Sequence, residues 1–352
     1  MIQIKQITEK HEYDKLWHEL GGHLLQSWQW GEIKYPRWRP MRLAFYKKGG
    51  SNNGSEGVAV AVLTILVKDF SRIGLMFGYV PRGDIPTENF EEIWEALEKF
   101  IREKGLIDLV LFELNTPTTQ ANDFITALPR FNYRVQPGCS NVVDLSVGEE
   151  KLWMGMKGKY RRNVKKSVRD GVSVTVYEEG DEALEKFYGV MKDLTGHKGF
   201  VIQSREYFEK VWKILSVQQC ARIYIAELDL EPDRMVVGAY FIACDDKTAF
   251  ELYGGVTKEG RSTEAGYALK WEAIKSSAKG GKLYYDHWGV APKKGDDYDL
   301  SHELGRISQF KAGFGGEDVC YTETKIMKIN SLKARIFSLL HYLQRLNIWV
   351  RK

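Results

Sequence analysis

Cysteine is scarce in this chain: only Cys139, Cys220, Cys244 and Cys320 occur, far apart and with no CxxC pair. That spacing supplies neither a zinc ligand set nor a disulfide framework, and it predicts reduced core thiols and no bound metal. Long apolar runs are also missing, since none approaches the ~20 residues needed to cross a bilayer. The opening MIQIKQITEKHEYDKLW is charged throughout, unlike a targeting segment. A cytoplasmic protein is expected, with surface contact to a membrane-held substrate left open. Charge of one sign is not in excess: 51 basic and 47 acidic residues leave a net +4, which excludes a polycation but permits local basic patches. No GxSxG elbow is present and no cysteine adjoins a histidine, so a covalent enzyme intermediate is not encoded.

What is present is length and repetition. The 352 residues, 43% hydrophobic, suffice for two domains that each bury a core. Residues 42–48 and 58–68 read as strands around the turn-rich GGSNNGSEG, a hairpin signal. A helix follows over Glu91–Glu103, with Phe90, Ile93, Trp94, Leu97, Phe100 and Ile101 at helical spacing, Thr87 as N-cap and Gly105 as stop. IDLVLFELN then reads as a strand buried on both faces. The second half repeats the order with RIYIAELD, RMVVGAYFIACD, AGYALKWEAIKSSAKGG and KLYYDHWGV. Tyr79 and Tyr253, Trp94 and Trp271, and Gly105 and Gly281 are each separated by about 175 residues, as tandem copies of one domain predict. The fold class expected is α+β, with a V-shaped opening beside the central strands of each copy as a ligand site. The boundaries fall at 1–146, 147–330 and 331–352. The last segment is a helix packing on the body through Leu332, Ile336, Leu339, Leu340, Leu343 and Leu346, a stripe of ordinary width that favours packing over membrane contact.

Three segments have residue types suited to chemistry. KGKYRRNVKKSVRDG crowds Lys157, Lys159, Arg161, Arg162, Lys165, Lys166 and Arg169 together. Such a cluster neutralises phosphates with a steep salt dependence, and a solvated helix face explains it equally well. FGYVPRGDI sets Arg82 between Pro81 and Gly83 in a turn after a strand. There an arginine fork meets a carboxylate or phosphate, or merely pairs with Asp84. GRISQFKAGFGG sets Lys311 beside Phe310 and a glycine-rich turn, so the ammonium is placed to neutralise an oxyanion unless it is an ordinary solvated lysine.

LLQSWQWGEIK (24–34), YVPRGDI, KYRRNVKKSVRDGV, WEAIKSSAKGGKLYYDHWGV and ISQFKAGFGG resemble, in that order, the motifs of the FemABX family. The resemblance runs from Leu24 to about Ile329. It implies two tandem GNAT-like acyltransferase domains that move an amino acid from aminoacyl-tRNA onto a peptidoglycan precursor. It further implies that Lys34 and Arg205 contact the precursor's pyrophosphate, that Tyr253 lines the precursor site, and that Lys311 stabilises the transition state. Under the same resemblance Lys159, Arg161, Arg162, Lys165 and Lys166 face tRNA. Two departures stand out. Many members have an Arg-Ile-acid-Pro stretch where this chain reads Glu113, Leu114, Asn115, Thr116, Pro117, and an asparagine is no base. The stretch between Val176 and Arg222 is too short for the coiled-coil arm of other members.

An aminoacyl ester is already activated, so its transfer to an amine needs orientation, proton removal and oxyanion stabilisation, with no cofactor. Asp286 and His287 are the titratable candidates at a strand end, and a structural role for them weighs more. The acceptor is a nucleotide-linked or lipid-linked muropeptide, and a monomer is expected. A CoA-dependent N-acyltransferase is the enzymatic rival, yet EGRSTEAGYAL offers only Gly260 and Gly266 where a pyrophosphate loop needs closely spaced glycines. A non-catalytic RNA-binding module is the rival of another class.

Overall fold

The computed structural model describes residues 1–48, 57–195 and 202–344. The expected GGSNNGSEG turn and Leu346 fall largely or wholly outside the described residues, as does the side chain of Leu343. In the first part of the chain come β1 (Ile2–Gln6), α1 (Lys10–Glu19), α2 (Trp28–Lys34), β2 (Arg39–Lys47), β3 (Val58–Phe70), β4 (Leu75–Gly83), α3 (Phe90–Lys104), β5 (Leu109–Leu114) and α4 (Asp123–Ala127). Next are β6 (Cys139–Asp144), α5 (Glu149–Gly155), α6 (Gly158–Arg169), β7 (Val172–Tyr177), α7 (Asp181–Thr195), α8 (Arg205–Ser216), β8 (Ala221–Asp229), β9 (Arg234–Cys244) and β10 (Thr248–Val256). The chain continues through α9 (Lys258–Ser262), α10 (Ala265–Lys279), β11 (Tyr284–Val290), the short pair β12 (Lys293–Lys294) and β13 (Asp297–Tyr298), α11 (Gly305–Ala312) and β14 (Glu317–Cys320). It ends in β15 (Lys325–Lys328) and α12 (Ser331–Gln344).

Two large sheets result among the described residues, ordered β1-β2-β3-β4-β5-β15 and β14-β6-β11-β10-β9-β8-β7, beside the two-stranded β12-β13. Within each, one parallel pair (β4 with β5, β10 with β11) interrupts antiparallel neighbours. A crossover helix must join parallel strands, and α3 and α10 do so. The paired landmarks occupy matching places: Tyr79 and Tyr253 lie in β4 and β10, Trp94 and Trp271 in α3 and α10. Gly105 and Gly281, at φ +61° and +78°, follow those helices in the left-handed conformation that glycine adopts without Cβ strain.

All six residues of β5 are buried, as a strand covered on both faces requires. One helix start differs from expectation. A 3₁₀ turn, Thr87–Asn89, precedes α3, and Asn89 holds the cap position without a side-chain hydrogen bond.

The compact units are 1–138 with 320–352, and 139–319, so the divisions fall at 138 and 319 rather than at the expected 146 and 330. The reason is pairing: β6 hydrogen-bonds to β11 of the second sheet, and β15 returns to β5 of the first. The final helix also packs differently from expectation. It buries Ala334 and Phe337 against Phe77, Leu109, Leu111 and Ile326, while Leu332, Ile336 and Leu339 are exposed. Cys220 and Cys244 are free thiols, but Cys139 and Cys320 are disulfide-bonded, contrary to the expectation of four reduced thiols. Among the described residues no helix is long and apolar enough to cross a membrane, and the longest have 15 residues.

Candidate active site

The two parallel pairs differ in one respect that creates a site. In the first sheet β4 and β5 stay paired from Phe77 with Leu109 to Gly83 with Leu114, which closes the expected opening there. In the second, β10 and β11 pair only from Thr248 with Tyr284 to Phe250 with Asp286. Beyond that point the ladder between them ends, while β11 keeps its antiparallel pairing with β6 on its other edge through Gly289 and Val290, and the strands part. The next residue on each strand is charged or titratable, Glu251 on β10 and His287 on β11.

Between them lies Lys270 of α10, whose side chain is fully buried. Its Nζ donates to the Glu251 carboxylate, lies 3.3 Å from His287 Nδ1 and sits 4.7 Å over the Tyr240 ring. The Tyr285 hydroxyl also donates to Glu251, at 2.7 Å. Burial alone would raise the Glu251 carboxyl, but Lys270, His287 and Lys311 outweigh it and lower it to about 2. Burial, joined by the Lys270 charge, lowers His287 to about 4, so its ring is neutral at pH 7. Burial lowers Lys270 as well, opposed by Glu251.

Lys311 stands beside this cluster. It is in the last turn of α11, 8% exposed, and its Nζ donates to the Gly289 carbonyl at 2.7 Å. Burial lowers its ammonium to about 8; Glu251 and Asp286 act upward and Lys270 downward. The position is therefore a buried helix position, not a solvated strand end. Phe310 packs edge-on to Tyr267 and Phe314 at 5.1 and 5.3 Å, forming an apolar wall that keeps water from the neighbouring ammonium. Asp286 is 3% exposed and accepts from Trp288 N at 2.6 Å, stabilising the bulge where Trp288 adopts φ +62°. This is the structural reading of Asp286, with a charge contribution to Lys311 added.

Tyr253 and Arg205 are brought near a common helix. The Tyr253 hydroxyl lies 3.1 Å from that of Tyr207 on α8, the helix that Arg205 opens. Arg205 itself is engaged by the Glu185 and Glu209 carboxylates. Lys34 and Arg82 belong to the first unit. Lys34 Nζ lies 4.8 Å over Trp30. Arg82 is 2% exposed, lies 3.7 Å over the Tyr321 ring and donates to the Pro137 carbonyl at 2.8 Å. The guanidinium thus braces the first unit internally through one of its donors and its face. Asp84 instead accepts from His23 N and Asn115 Nδ2.

The basic cluster forms α6, whose Val164 and Ser167 are buried while Lys159, Arg162 and Lys165 are exposed. Arg161 departs from the expected outward group: it donates to the Met154 and Met156 carbonyls at 2.8 and 2.5 Å, closing the C-terminus of α5, where carbonyls lack intrahelical partners. Lys166 pairs with Asp170 at 3.5 Å. Lys157, Lys159 and Tyr160 line a polar cavity of about 730 Å³ with Lys293, Asp318 and Gln309. Glu251 and Lys270 escaped the sequence reading. One signal was available: Lys270 shares a helix face with Gly266 and Ile274, both buried, and a lysine on such a face needs a buried partner.

Residues 120–235 match the FemAB family. The Lipid II:glycine glycyltransferase of Staphylococcus epidermidis is 23% identical over 228 residues, covering 60% of this chain and 52% of that protein. Its Staphylococcus aureus counterpart is 21% identical over 225 residues, covering 59% and 51%. The chain spans about half the length of these curated relatives. The crystal structure of FemX superposes with a TM-score of 0.80 at 16% identity, covering 96% of this chain and 100% of that one. The family match thus lies in residues 120–235, and the fold of nearly the whole chain is that of FemX. A tandem GNAT protein from the clavulanic acid biosynthesis pathway aligns over 94% of the chain and 99% of its own, with a TM-score of 0.53 at 13% identity. The two large sheets are accordingly a tandem pair of GNAT-like folds.

Proposed function

We propose that this protein is a FemABX-type aminoacyltransferase that moves an amino acid from aminoacyl-tRNA to an amine of a peptidoglycan-precursor stem peptide. The observation that carries the reading is Lys311, a nearly buried cation tied at 2.7 Å to β11 where that strand has parted from β10. The acceptor amine attacks the ester carbonyl carbon directly. A C–N bond forms, negative charge collects on the carbonyl oxygen beside the Lys311 ammonium, and collapse expels the ribose hydroxyl, which takes up the proton the amine gives up. Such a cation has its greatest effect where water is excluded. The relatives named Lipid II:glycine glycyltransferase support a lipid-linked precursor as acceptor. Lys159, Arg162 and Lys165 of α6 are the cations offered to tRNA, and Tyr253 is offered to the precursor.

Neither rival reading gains support. Gly260 and Gly266 are used by the fold itself. A Cβ on Gly260 would meet the Val237 carbonyl oxygen at 2.1 Å, and one on Gly266 would touch Val256 and Phe310, so close packing accounts for Gly260 without a bound pyrophosphate. The deciding experiment offers a mixed pool of radiolabelled aminoacyl-tRNA, with nucleotide-linked and lipid-linked muropeptides as acceptors and acetyl-CoA in parallel. Label passing from tRNA to a muropeptide is expected. Transfer from acetyl-CoA alone, or RNA binding with no transfer, would overturn the proposal.

A further inference from the structure

Glu251 and Lys270 belong to none of the motifs singled out in the sequence, His287 belongs to one, and none of the three touches a proposed substrate; they occupy the vertex at which β10 and β11 separate. The duplication provides an internal comparison. Counted from the nearest of the landmark pairs, about 175 residues away, the first copy has Phe77, Ile93 and Leu111 at these positions. All three are buried and apolar, and there the parallel strands never part. Burying a lysine, a glutamate and a histidine where the sister domain buries hydrocarbon is costly, because each charge loses hydration that the pairing restores only in part. The structural task of joining two strands is done by the first copy without such a cluster. An arrangement of this kind, found in one copy only and beside Lys311, has an electrostatic consequence for that residue.

We propose that the Lys270–Glu251 pair is a positioning device for Lys311, in which the Glu251 carboxylate holds the reacting ammonium protonated and Lys270 limits that pull. The inference rests on the aminoacyl-transfer reading of the same site. Lys311 Nζ is held by the Gly289 carbonyl, two residues beyond His287 on β11, and the ring of the adjoining Phe310 lies 5.8 Å from Lys270 Nζ; the charges that act on the ammonium are Glu251 on β10, Lys270 on α10 and Asp286 on β11, with neutral His287 between them. Tyr285 and Lys270 both donate to Glu251 Oε2, which keeps the carboxylate ionised and fixed in place. His287, neutral, spaces Lys270 from β11 without adding a second positive charge. A single carboxylate next to an ammonium raises its pKa, and a second ammonium depresses it, each by about 1 unit or more at short range.

The two members of the pair therefore have opposite predicted signs, which a purely structural role does not produce. In Glu251→Gln the alkaline limb of the transfer-rate profile moves about one pH unit lower. In Lys270→Met it moves higher. The same midpoints are read independently of activity by titrating isotopically labelled lysine side chains by NMR in the full chain, with the Lys311 signal assigned from its absence in Lys311→Met. If Glu251→Gln does not fold, Lys270→Met alone decides, by an upward or an unmoved Lys311 midpoint. Midpoints that shift in opposite directions support the proposal. Midpoints that stay put, or that shift together, overturn it. Opposite NMR shifts in a protein that transfers nothing from aminoacyl-tRNA would uphold the electrostatic pairing and sink the proposed reaction instead.

Discussion

Lys311 donates from Nζ to the main-chain carbonyl of Gly289 at 2.7 Å, so the helix that bears the cation is tied to the one strand that has left its parallel partner. The bond leaves the ammonium anchored and partly desolvated, and its remaining hydrogens define where an oxyanion would be met. Phe310, the preceding residue, packs into an aromatic group with Tyr160, Tyr267 and Phe314. A loss of position at Lys311 would therefore require repacking of that group.

Transfer should fall as pH rises through about 8, where the buried Lys311 ammonium loses its proton. Folding stability should respond in the opposite sense. An unfolded lysine keeps its proton to about 10.5, so between about 8 and 10.5 the unfolded chain binds more protons and this residue's contribution to stability rises with pH. Initial rates and urea unfolding measured over the same pH series test both slopes.

Lys311→Met should lower the transfer rate by on the order of 100-fold or more, as loss of an oxyanion partner does. Because Met fills similar space without a buried charge, the midpoint of thermal unfolding should hold or rise. Near-normal turnover would remove Lys311 from the mechanism.

Asp286→Asn keeps an oxygen to accept from Trp288 N, and transfer should stay within about tenfold of the parent. Asp286→Ala leaves that buried amide unpaired and should cost about 1–3 kcal/mol in urea unfolding. A collapse of activity in Asp286→Asn with stability intact would instead make the carboxylate a proton acceptor in the reaction.

Two neighbours on α6 should separate cleanly. Arg162→Ala should leave stability unchanged, weaken tRNA binding at low salt, and reduce the slope of log affinity against log salt by about 1. Arg161→Ala removes the donor to the Met154 and Met156 carbonyls and should destabilise the fold by about 1.5–3 kcal/mol. Filter binding across a salt series, paired with thermal unfolding, distinguishes the roles.

In the first unit Glu113 accepts from Tyr79 OH, Val135 N and Gln136 N at 2.8, 2.5 and 2.8 Å while 3% exposed. Glu113→Ala should cost about 3 kcal/mol or more, because three donors lose their acceptor at once. Little loss of stability in urea unfolding would show that water replaces the carboxylate.

Much of the fold was written in local pattern. The 3.6-residue apolar spacing of α3, the continuous apolar run of β5 and the glycines after α3 and α10 are one-dimensional signals, because they arise from backbone geometry and from burial of one face. The repeat was legible for the same reason. Lys311 and Phe310 could be singled out because an aromatic–lysine pair before closely spaced glycines is unusual on any surface. Other features could not be read this way. Arg82 and Arg161 look in sequence like cations free to meet a ligand, and their capture by Pro137, Tyr321 and the end of α5 depends on which carbonyls and rings tertiary folding brings near. The leucines of α12 form a stripe at helical spacing, yet the face that packs is the one bearing Ala334 and Phe337, since the sheet beneath selects it by shape. Most of all, two sequence-similar copies diverge at their centres: β4 and β5 remain joined while β10 and β11 part around Glu251, Lys270 and His287. The sequence alone determined that there are two copies of one domain. Tertiary structure decided which copy opens, because a carboxylate, an ammonium and a neutral imidazole distant in the chain share one buried vertex only after the strands and the helix between them have met.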